Sequence, residues 1–421
     1  AEPTGHSTMR STRVLGMIMA GGKGSRLLPL TEVRSKPAVP FGGTYRIVDF
    51  VLSNFVNSGI TALHVLVQYR SQSLIEHLRN AWQIGGRSKD SFVSVVPPQM
   101  RAREGWYEGT ADAIYQNLNL IADFRPDVIA VFGADHIYRM DIGQMVRRHL
   151  ETEADVTVAV LPVPVEAATG FGIVEADESG RMIGFQEKPA HPKPMPTRSD
   201  YALSSMGNYL FNTEILVPLL KRDASRQGPH DFGRNIVPDL LADHLVYAYD
   251  LSCNEIPGLR PYEERAYWRD VGTLDAYWLA NMDLLGETPI LDLRNADWPI
   301  VSGRYDGPMP SLIRSRVDDS MIGQSSQCVD ADVRRSIVGR GVRIERGARL
   351  EECILLDDVR VGPQARLRRV IADRGAVIPG HSRIGYERER DSAGFHVSES
   401  GLVVVPHPSI DMEPGALRQA S

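Results

Sequence analysis

The chain has 421 residues, of which 47 are Lys or Arg, 53 are Asp or Glu and 43% are hydrophobic, and its formal net charge is −6. This composition is typical of a soluble globular protein and excludes a disordered, collagen-like or disulfide-scaffold chain. At roughly 100 to 200 residues per domain, the length predicts two domains. The acidic balance predicts no dedicated binding to nucleic acid or to a membrane surface, because either needs a cationic surplus.

The cysteines and the apolar runs predict a cytoplasmic protein. Cys253, Cys328 and Cys353 are widely spaced and odd in number, which predicts neither a disulfide framework nor a metal cluster. The most apolar run near the N-terminus, residues 14–20, is shorter than the roughly 20 residues of a membrane span. We therefore expect a reducing, cytoplasmic setting and no transmembrane helix.

Short apolar runs alternate with helical patterns from residue 14 to residue 285, which predicts a Rossmann-like α/β domain with a mostly parallel sheet. Four runs predict strands buried on both faces, at residues 14–20, 62–68, 128–133 and 156–163. Four segments with apolar residues at i, i+3 and i+4 predict crossover helices, at residues 47–58, 72–81, 111–122 and 142–152.

A second domain follows a proline-rich connection that we place at residues 286–314. Beyond it the helical period is lost and aliphatic residues recur at every sixth position: Val338, Ile344 and Leu350; Val342, Ala348 and Ile354; Ala365, Ile371 and Val377. This period predicts a hexapeptide-repeat, left-handed parallel β-helix over residues 315–400. An antiparallel sandwich with chance spacing is the alternative.

The first chemical motif is the glycine-rich turn Met19-Ala20-Gly21-Gly22-Lys23-Gly24-Ser25-Arg26-Leu27, which follows the first predicted strand. Glycines allow a backbone turn to approach a phosphate closely, and Lys23 and Arg26 add positive charge. The turn matches neither the P-loop nor the dinucleotide-binding pattern, because Gly24 and Leu27 stand at the deciding positions. By itself it predicts a phosphate-binding turn, with a plain βα turn as the alternative.

A basic loop comes next, at Arg34-Ser35-Lys36-Pro37-Ala38-Val39-Pro40. It adds Arg34 and Lys36 on a segment stiffened by two prolines. A glycine-rich turn followed closely by a basic loop predicts a polyphosphate site.

The two segments together, G-G-x-G-S-R-L and P-L-T-x-x-R-x-K-P-A-V-P-F-G-G, resemble the sugar-1-phosphate nucleotidyltransferases, and most closely the bacterial ADP-glucose pyrophosphorylase (glucose-1-phosphate adenylyltransferase) family. Further motifs follow in the family's order: W-Y-E-G-T-A-D-A (106–113), G-A-D-H-I-Y (133–138), G-F-G (170–172), E-K-P (187–189), S-S-M-G (204–207), H-D-F-G (230–233) and Y-W-R-D-V-G-T (267–273). The resemblance covers nearly the whole chain from about residue 14.

Two aspartates carry the metal prediction. Asp135 follows a buried strand at the carboxyl edge of a parallel sheet, where ligands of such folds collect, and is either a helix cap or a metal ligand. Asp270 alone predicts only half of a surface ion pair. The resemblance implies that both hold Mg²⁺, which prefers hard oxygen ligands.

The resemblance implies ATP and glucose 1-phosphate as substrates and ADP-glucose and pyrophosphate as products, feeding glycogen or another α-glucan. It implies catalytic roles for Arg26 and Lys36 at the triphosphate, for Asp135 and Asp270 at the metal, and for Lys188 at the sugar phosphate. The implied nucleotide-binding residues are Gly21, Gly22, Gln68, Gln99, Tyr107 and Gly109, and the implied sugar-phosphate-binding residues are Gly172, Glu187, Lys188 and Ser205.

The resemblance also implies a homotetramer regulated by phosphorylated or carboxylate metabolites. Arg34 and Arg46 match basic effector-binding positions of the family, whereas Val33 and Thr44 replace basic residues of several relatives. A sugar nucleotidyltransferase that uses UTP, dTTP or CTP is one alternative, and a non-catalytic regulatory subunit is another. Retention of the five implied catalytic residues argues against the second. A third reading, an acyltransferase in the C-terminal domain, is disfavoured by its small number of coils.

Overall fold

The computed structural model describes residues 12–83, 89–99 and 106–409. Alternating strands and helices make up its N-terminal part. The strands are β1 (Val14–Ala20), β2 (Pro40–Phe41), β3 (Tyr45–Arg46), β4 (Ala62–Val67), β5 (Phe92–Val96), β6 (Val128–Gly133), β7 (His136–Tyr138), β8 (Val156–Pro164), β9 (Gly172–Ala176), β10 (Met182–Glu187), β11 (Tyr201–Asn212), β12 (Val246–Asp250) and β13 (Trp268–Asp270). The helices are α1 (Ile47–Asn57), α2 (Gln72–Ala81), α3 (Thr110–Tyr115), α4 (Leu118–Phe124), α5 (Ile142–Glu151), α6 (Thr213–Ala224), α7 (Val237–Leu240) and α8 (Leu274–Met282).

Nine of these strands form one sheet, whose main path runs β10-β9-β11-β6-β1-β4-β5, with β8 pairing to both β11 and β12. The strands β6, β1, β4 and β5 are parallel, so their carboxyl ends share one edge. Strand β11 runs antiparallel to β6, β8 and β9. The predicted α/β domain is present, but the sheet is mixed, because β11 lies in the middle of the sheet and runs antiparallel to its neighbours.

Strand β11 changes partner along its length. Leu203 and Ser204 pair with β9, whereas the segment from Tyr209 onward pairs with β6. The register against β8 shifts between Ser205 and Tyr209, and Gly207 in this irregular segment has a φ of 71°. The motif S-S-M-G therefore marks the bulge at which one strand joins the two halves of the sheet.

The predicted helix over residues 111–122 is interrupted. Helix α3 ends at Tyr115 and α4 begins at Leu118. Asn117 lies at the break, where its side-chain amide donates to the Ala113 carbonyl and to the Tyr107 hydroxyl. Apolar spacing alone cannot reveal this break, because an asparagine that bonds to nearby backbone interrupts a helix without disturbing its apolar face.

The C-terminal part is a left-handed β-helix whose short strands lie on three faces and pair in parallel, except for the last pair of the third face, which is antiparallel. The first face has β14 (Ser311–Ile313), β17 (Gln327–Val329), β20 (Arg343–Ile344), β23 (Arg360–Val361) and β26 (Val377–Ile378). The second face has β15 (Arg316–Asp318), β18 (Asp332–Arg334), β21 (Arg349–Glu351), β24 (Arg366–Arg368) and β27 (Arg383–Ile384). The third face has β16 (Met321–Ile322), β19 (Ile337–Val338), β22 (Ile354–Leu355), β25 (Val370–Ala372), β28 (His396–Val397) and β29 (Val403–Val405), and the helix α9 (Arg388–Ser392) precedes β28.

The six-residue repeat fills the interior of this β-helix. Eight of the nine predicted repeat positions are buried, whereas Val377 is 52% exposed because it pairs in register with the outward-facing Arg360. The first coil begins at Ser311, a few residues before the predicted boundary, and the last strand ends at Val405.

The two parts share a hydrophobic core. One cluster joins Phe41 and Tyr277 of the α/β part to Ile354 and Leu356 of the β-helix. At its edge, the Trp278 Nε1–H donates to the Glu352 carbonyl over 2.9 Å. The β-helix therefore packs against the helix that follows β13. Within the described ranges, no helix has both the length and the apolar character that crossing a membrane requires.

Candidate active site

A cleft of about 610 Å³ lies at the carboxyl edge of the nine-stranded sheet. One wall comes from the turn after β1, the end of β4 and the loop before α3. The other wall comes from β9, the end of β10, the bulge in β11 and the loop before α7. This is the edge at which parallel α/β sheets bind ligands.

The glycine-rich turn forms part of the first wall. Gly21 and Gly22 line the cleft, and Gly24 has a φ of 63°. A Cβ atom on Gly24 would lie 2.8 Å from the Lys36 Cβ, so the turn packs directly on the basic loop. Arg26 follows in a short 3₁₀ turn, and its side chain is 69% exposed at the mouth of the cleft.

Lys36 connects the two predicted metal ligands. Its Nζ lies 3.1 Å from Asp135 Oδ2 and 3.1 Å from Asp270 Oδ1, and its side chain is only 6% exposed. The short strands β7 and β13 bring the carboxylates together, because Asp270 pairs with His136, the residue after Asp135. Arg26 adds a second cation, with Nη2 at 4.0 Å from Asp270 Oδ2.

The charges at this junction stabilise one another. Burial acts to raise the pKa of Asp135, but the electrostatic influence of His136 and Lys36 and the hydrogen bond from Lys36 hold that pKa well below its usual range. Burial acts to lower the pKa of Lys36, but the two carboxylates raise it above its usual value. Asp135 is therefore a carboxylate and Lys36 an ammonium across the physiological pH range.

The same residues fit a divalent metal ion. One ligand atom from each of Asp135, His136 and Asp270 lies within 4.8 Å of the others. Two carboxylates are the hard oxygen donors that Mg²⁺ prefers, and each has one oxygen that does not contact Lys36. A Cβ atom on Gly133 would lie 3.0 Å from Asp135 Oδ1, so a larger residue there would press on this carboxylate.

On the first wall, Gln68 fixes the loop that precedes α3. The Tyr107 N–H donates to Gln68 Oε1 over 2.6 Å, and Gln68 Nε2 donates back to the Tyr107 carbonyl over 3.3 Å. Gly109 lies where a Cβ atom would collide with the carbonyl oxygens of Pro229 and His230. Gln68, Tyr107 and Gly109 all line the cleft.

Gln99 does not join them. Its side chain is exposed and folds back to donate to the Pro97 carbonyl over 2.9 Å, and it is not among the residues that line the cleft. The structure thus does not bring Gln99 together with the other residues assigned to the nucleotide, and its role there stays a prediction.

On the second wall, Glu187 lies between two glycines. A Cβ atom would lie 3.0 Å from Glu187 Oε2 if placed on Gly172 and 2.8 Å if placed on Gly233. Lys188 follows with a φ of 47°, and its Nζ lies 3.5 Å from Glu187 Oε1 with the side chain 56% exposed. The predicted sugar-phosphate residues, including Ser205, therefore meet on one wall of the cleft.

Comparison with known proteins agrees with this arrangement. Residues 15–287 match the nucleotidyl transferase family, and residues 311–405 match the GlmU-like C-terminal hexapeptide family. The chain is 48% identical over 395 residues to a glucose-1-phosphate adenylyltransferase from Thermodesulfovibrio yellowstonii, covering 94% of this chain and 96% of that protein. It is 46% identical over 409 residues to one from Deinococcus radiodurans, covering 94% and 98%. The chain belongs to the glucose-1-phosphate adenylyltransferase family.

Several cleft residues of this glucose-1-phosphate adenylyltransferase family member were not assigned from its sequence. Tyr209 and Trp268 line the cleft, as do His136 and the segment from Asp231 to Gly233. The Thr110 hydroxyl donates to Asp231 Oδ2 over 3.0 Å and so ties the two walls together. Most of these residues lie inside the motifs on which the family resemblance rests, so their position in those motifs could have identified them.

The two predicted effector-binding arginines lie at the boundary between the α/β part and the β-helix. Arg34 Nη1 lies 2.9 Å from Asp373 Oδ1 of the β-helix and donates to the Leu30 carbonyl. Arg46 donates from Nη1 to the carbonyls of Ala38 and Ser73. Both guanidinium groups are thus satisfied by protein partners in the structure of this family member.

Proposed function

We propose that this protein transfers the adenylyl group of ATP to glucose 1-phosphate, giving ADP-glucose and pyrophosphate. The observation that carries the proposal is the Lys36 ammonium between Asp135 and Asp270, where the two walls of the cleft meet. The curated relatives named glucose-1-phosphate adenylyltransferase support ATP and glucose 1-phosphate as the substrates.

In this reaction an oxygen of the glucose 1-phosphate phosphate group attacks the α-phosphorus of ATP. The new P–O bond forms as the bond to the β-phosphate oxygen breaks, and the electron pair leaves with pyrophosphate. Alignment of two bound anions can itself supply roughly 7 to 11 kcal/mol of the barrier reduction. The positioning residues therefore contribute directly to the rate.

We assign nucleotide binding to the glycine-rich turn and to the loop at Tyr107 and Gly109. Gln68 holds that loop in place. Arg26 and Lys36 stabilise the negative charge that develops on the leaving pyrophosphate, because fixed cations are most effective where charge accumulates. Gly172, Glu187 and Ser205 hold the sugar phosphate, and Lys188 neutralises the attacking phosphate group.

Asp135 and Asp270 would hold Mg²⁺, which neutralises phosphate charge when it is bound. Lys36 orients both carboxylates through its two contacts of 3.1 Å. His136 lies beside them, with Nε2 at 3.6 Å from Asp135 Oδ1, and its ring packs on Trp268. These protein groups fix the carboxylates before any substrate binds.

A pyrophosphate-release assay with ATP, UTP, dTTP and CTP, each combined with several sugar 1-phosphates, tests the proposal. ATP with glucose 1-phosphate should give the highest kcat/KM. A preference for UTP, dTTP or CTP would show a different nucleotidyltransferase, and no turnover with any pair would show a non-catalytic subunit. Chelation by EDTA should abolish turnover, and added Mg²⁺ should restore it.

We also propose that the enzyme is a cytoplasmic homotetramer of glycogen or α-glucan synthesis that responds to phosphorylated or carboxylate metabolites. The boundary position of Arg34 and Arg46 supports an effector site there, because Arg34 is two residues from Lys36. Assays with a panel of metabolites test regulation, and sedimentation tests the tetramer. Unchanged rates with every compound would contradict the regulatory part.

A further inference from the structure

The outward-facing charges of the β-helix form columns, because each coil places equivalent positions in register with those of the preceding coil. Most columns alternate in sign. On the second face one column reads Asp318, Arg334, Glu351 and Arg368. Corner columns do the same: Asp330 accepts ion pairs from Arg314 at 2.6 Å and Arg346 at 3.0 Å.

Two columns break this rule. On the second face, Arg349, Arg366 and Arg383 follow one another in register. Asp332 precedes Arg349 in this column but pairs with Arg334 of its own strand over 2.9 Å. On the first face, Arg343 is in register with Arg360. We call these five residues the arginine edge, since each is the first residue of its strand on the first or the second face. All five are exposed, and none forms an ion pair with a carboxylate of the described residues.

Adjacent strands lie about 4.8 Å apart, and like charges in directly neighbouring positions destabilise a sheet. The fold does not require an arginine at every coil. On the same second face, the column two residues further along each strand alternates in sign, with Glu351 between Arg334 and Arg368. The arginine edge is thus an unneutralised row of cations, and an external anion with several charges would neutralise it.

We propose that the arginine edge binds a condensed phosphate chain, that is, inorganic polyphosphate. Every Lys or Arg residue between 311 and 405 is an arginine. A guanidinium group can donate two parallel hydrogen bonds to one phosphate group, which an ammonium cannot do in the same geometry. Successive phosphate groups on one flexible chain can contact successive arginines of the row.

Two other polyanions fit less well. An extended acidic peptide presents carboxylates on one side about 7 Å apart, which does not match strands about 4.8 Å apart. Single-stranded nucleic acid is bound through aromatic side chains that stack on its bases. The aromatic side chain that contacts the arginine edge is Tyr386, whose ring is already covered by the Arg383 guanidinium at 4.9 Å.

The test measures binding of labelled inorganic polyphosphate to the full-length protein by fluorescence anisotropy over a range of NaCl concentrations. The variant carries Arg349→Ser, Arg366→Ser and Arg383→Ser. We expect its affinity to fall by about tenfold or more, and its salt dependence to be shallower by about two units, since each cation contributes roughly 0.7. ADP-glucose synthesis should be unchanged, which shows that the variant folds.

A control variant removes the same number of charges elsewhere, with Arg147→Ser, Arg222→Ser and Arg226→Ser on α5 and α6. Its affinity should stay within about twofold of the unmodified protein, because the removed charges lie outside the arginine edge. The change in net charge is the same in both variants, so a difference between them reflects the position of the charges. An equal loss in both variants, or no saturable binding to the unmodified protein, would overturn the proposal. Tighter binding of poly-glutamate or of single-stranded RNA that is lost in the first variant would also overturn it, in favour of those partners.

Discussion

Arg34 and Asp373 form a buried ion pair that connects the basic loop to the β-helix. Arg34 Nη1 lies 2.9 Å from Asp373 Oδ1, and the two side chains are 7% and 0% exposed. Lys36, which contacts Asp135 and Asp270, is two residues further along the same loop. A displacement of Asp373 in the β-helix would therefore move the loop that positions Lys36 in the cleft.

We expect Arg34→Met to destabilise the protein by about 3 to 5 kcal/mol, because it leaves the buried Asp373 carboxylate without its cation. Burial already raises the pKa of Asp373, and Arg34 counteracts that rise. The deficit should be small at acid pH, where Asp373 is protonated in the folded protein, and should grow as the pH rises through the raised pKa of the folded state. Thermal unfolding at about pH 5 and about pH 8 measures this. The double variant with Asp373→Asn should recover part of the loss, and no recovery would contradict the pairing.

Lys36→Met should lower kcat by at least about a hundredfold, because a fixed cation is lost where phosphate charge develops. Lys36 also helps to hold the pKa of Asp135 low. Without it that pKa rises, so the acidic limb of the kcat–pH profile should move to higher pH. Lys36→Arg keeps the charge and is the matched control. If the acidic limb of the kcat–pH profile does not move in Lys36→Met, the proposed effect of Lys36 on the ionisation of Asp135 is wrong.

Asp135→Asn and Asp270→Asn should each reduce kcat severely while the protein stays folded, since each removes one charged metal ligand. Circular dichroism checks folding, and a Mg²⁺ titration of activity should give a higher half-saturating concentration. Asp177→Asn, in the turn after β9, removes the same charge away from the cleft and should have little effect on turnover. Near-normal turnover of Asp135→Asn would remove that residue from the mechanism.

Lys188→Ala should raise the KM for glucose 1-phosphate far more than the KM for ATP. Lys188 lies on the wall that contains Glu187 and Gly172, with its ammonium exposed to the cleft. Lys193→Ala removes a nearby lysine that pairs with Glu175, and should leave both constants nearly unchanged. Equal effects of Lys188→Ala on the two substrates would contradict its assignment to the sugar phosphate.

Gly109→Ala should raise the KM for ATP, because its Cβ atom would push against the carbonyl oxygens of Pro229 and His230 and displace the loop held by Gln68. Gly170→Ala is a suitable control, since Gly170 also lines the cleft but a Cβ atom there meets nothing within 4 Å. Similar kinetics for the two variants would show that the position of this loop does not limit nucleotide binding.

The sequence predicted the strands and helices whose burial is periodic. β1, β6 and α2 have the predicted bounds, because the apolar pattern of each is uninterrupted from its first residue to its last. It did not predict the break at Asn117, because the side-chain hydrogen bonds of that residue leave the apolar spacing unchanged. It did not predict the antiparallel direction of β11, because that direction depends on pairing with distant strands. Only the family resemblance connected Asp270 with Asp135, since their meeting depends on the pairing of β7 with β13. Gln99 was assigned from a motif position, and its local hydrogen bond was not visible in the pattern.

The core shared by Phe41, Tyr277, Ile354 and Leu356 has a consequence for how the molecule unfolds. A domain that contributes apolar side chains to a common core cannot separate without exposing them to water. Calorimetry should therefore record a single cooperative endotherm for the chain rather than two. Protease cleavage within residues 286–310 should likewise yield two fragments that remain associated until they are denatured.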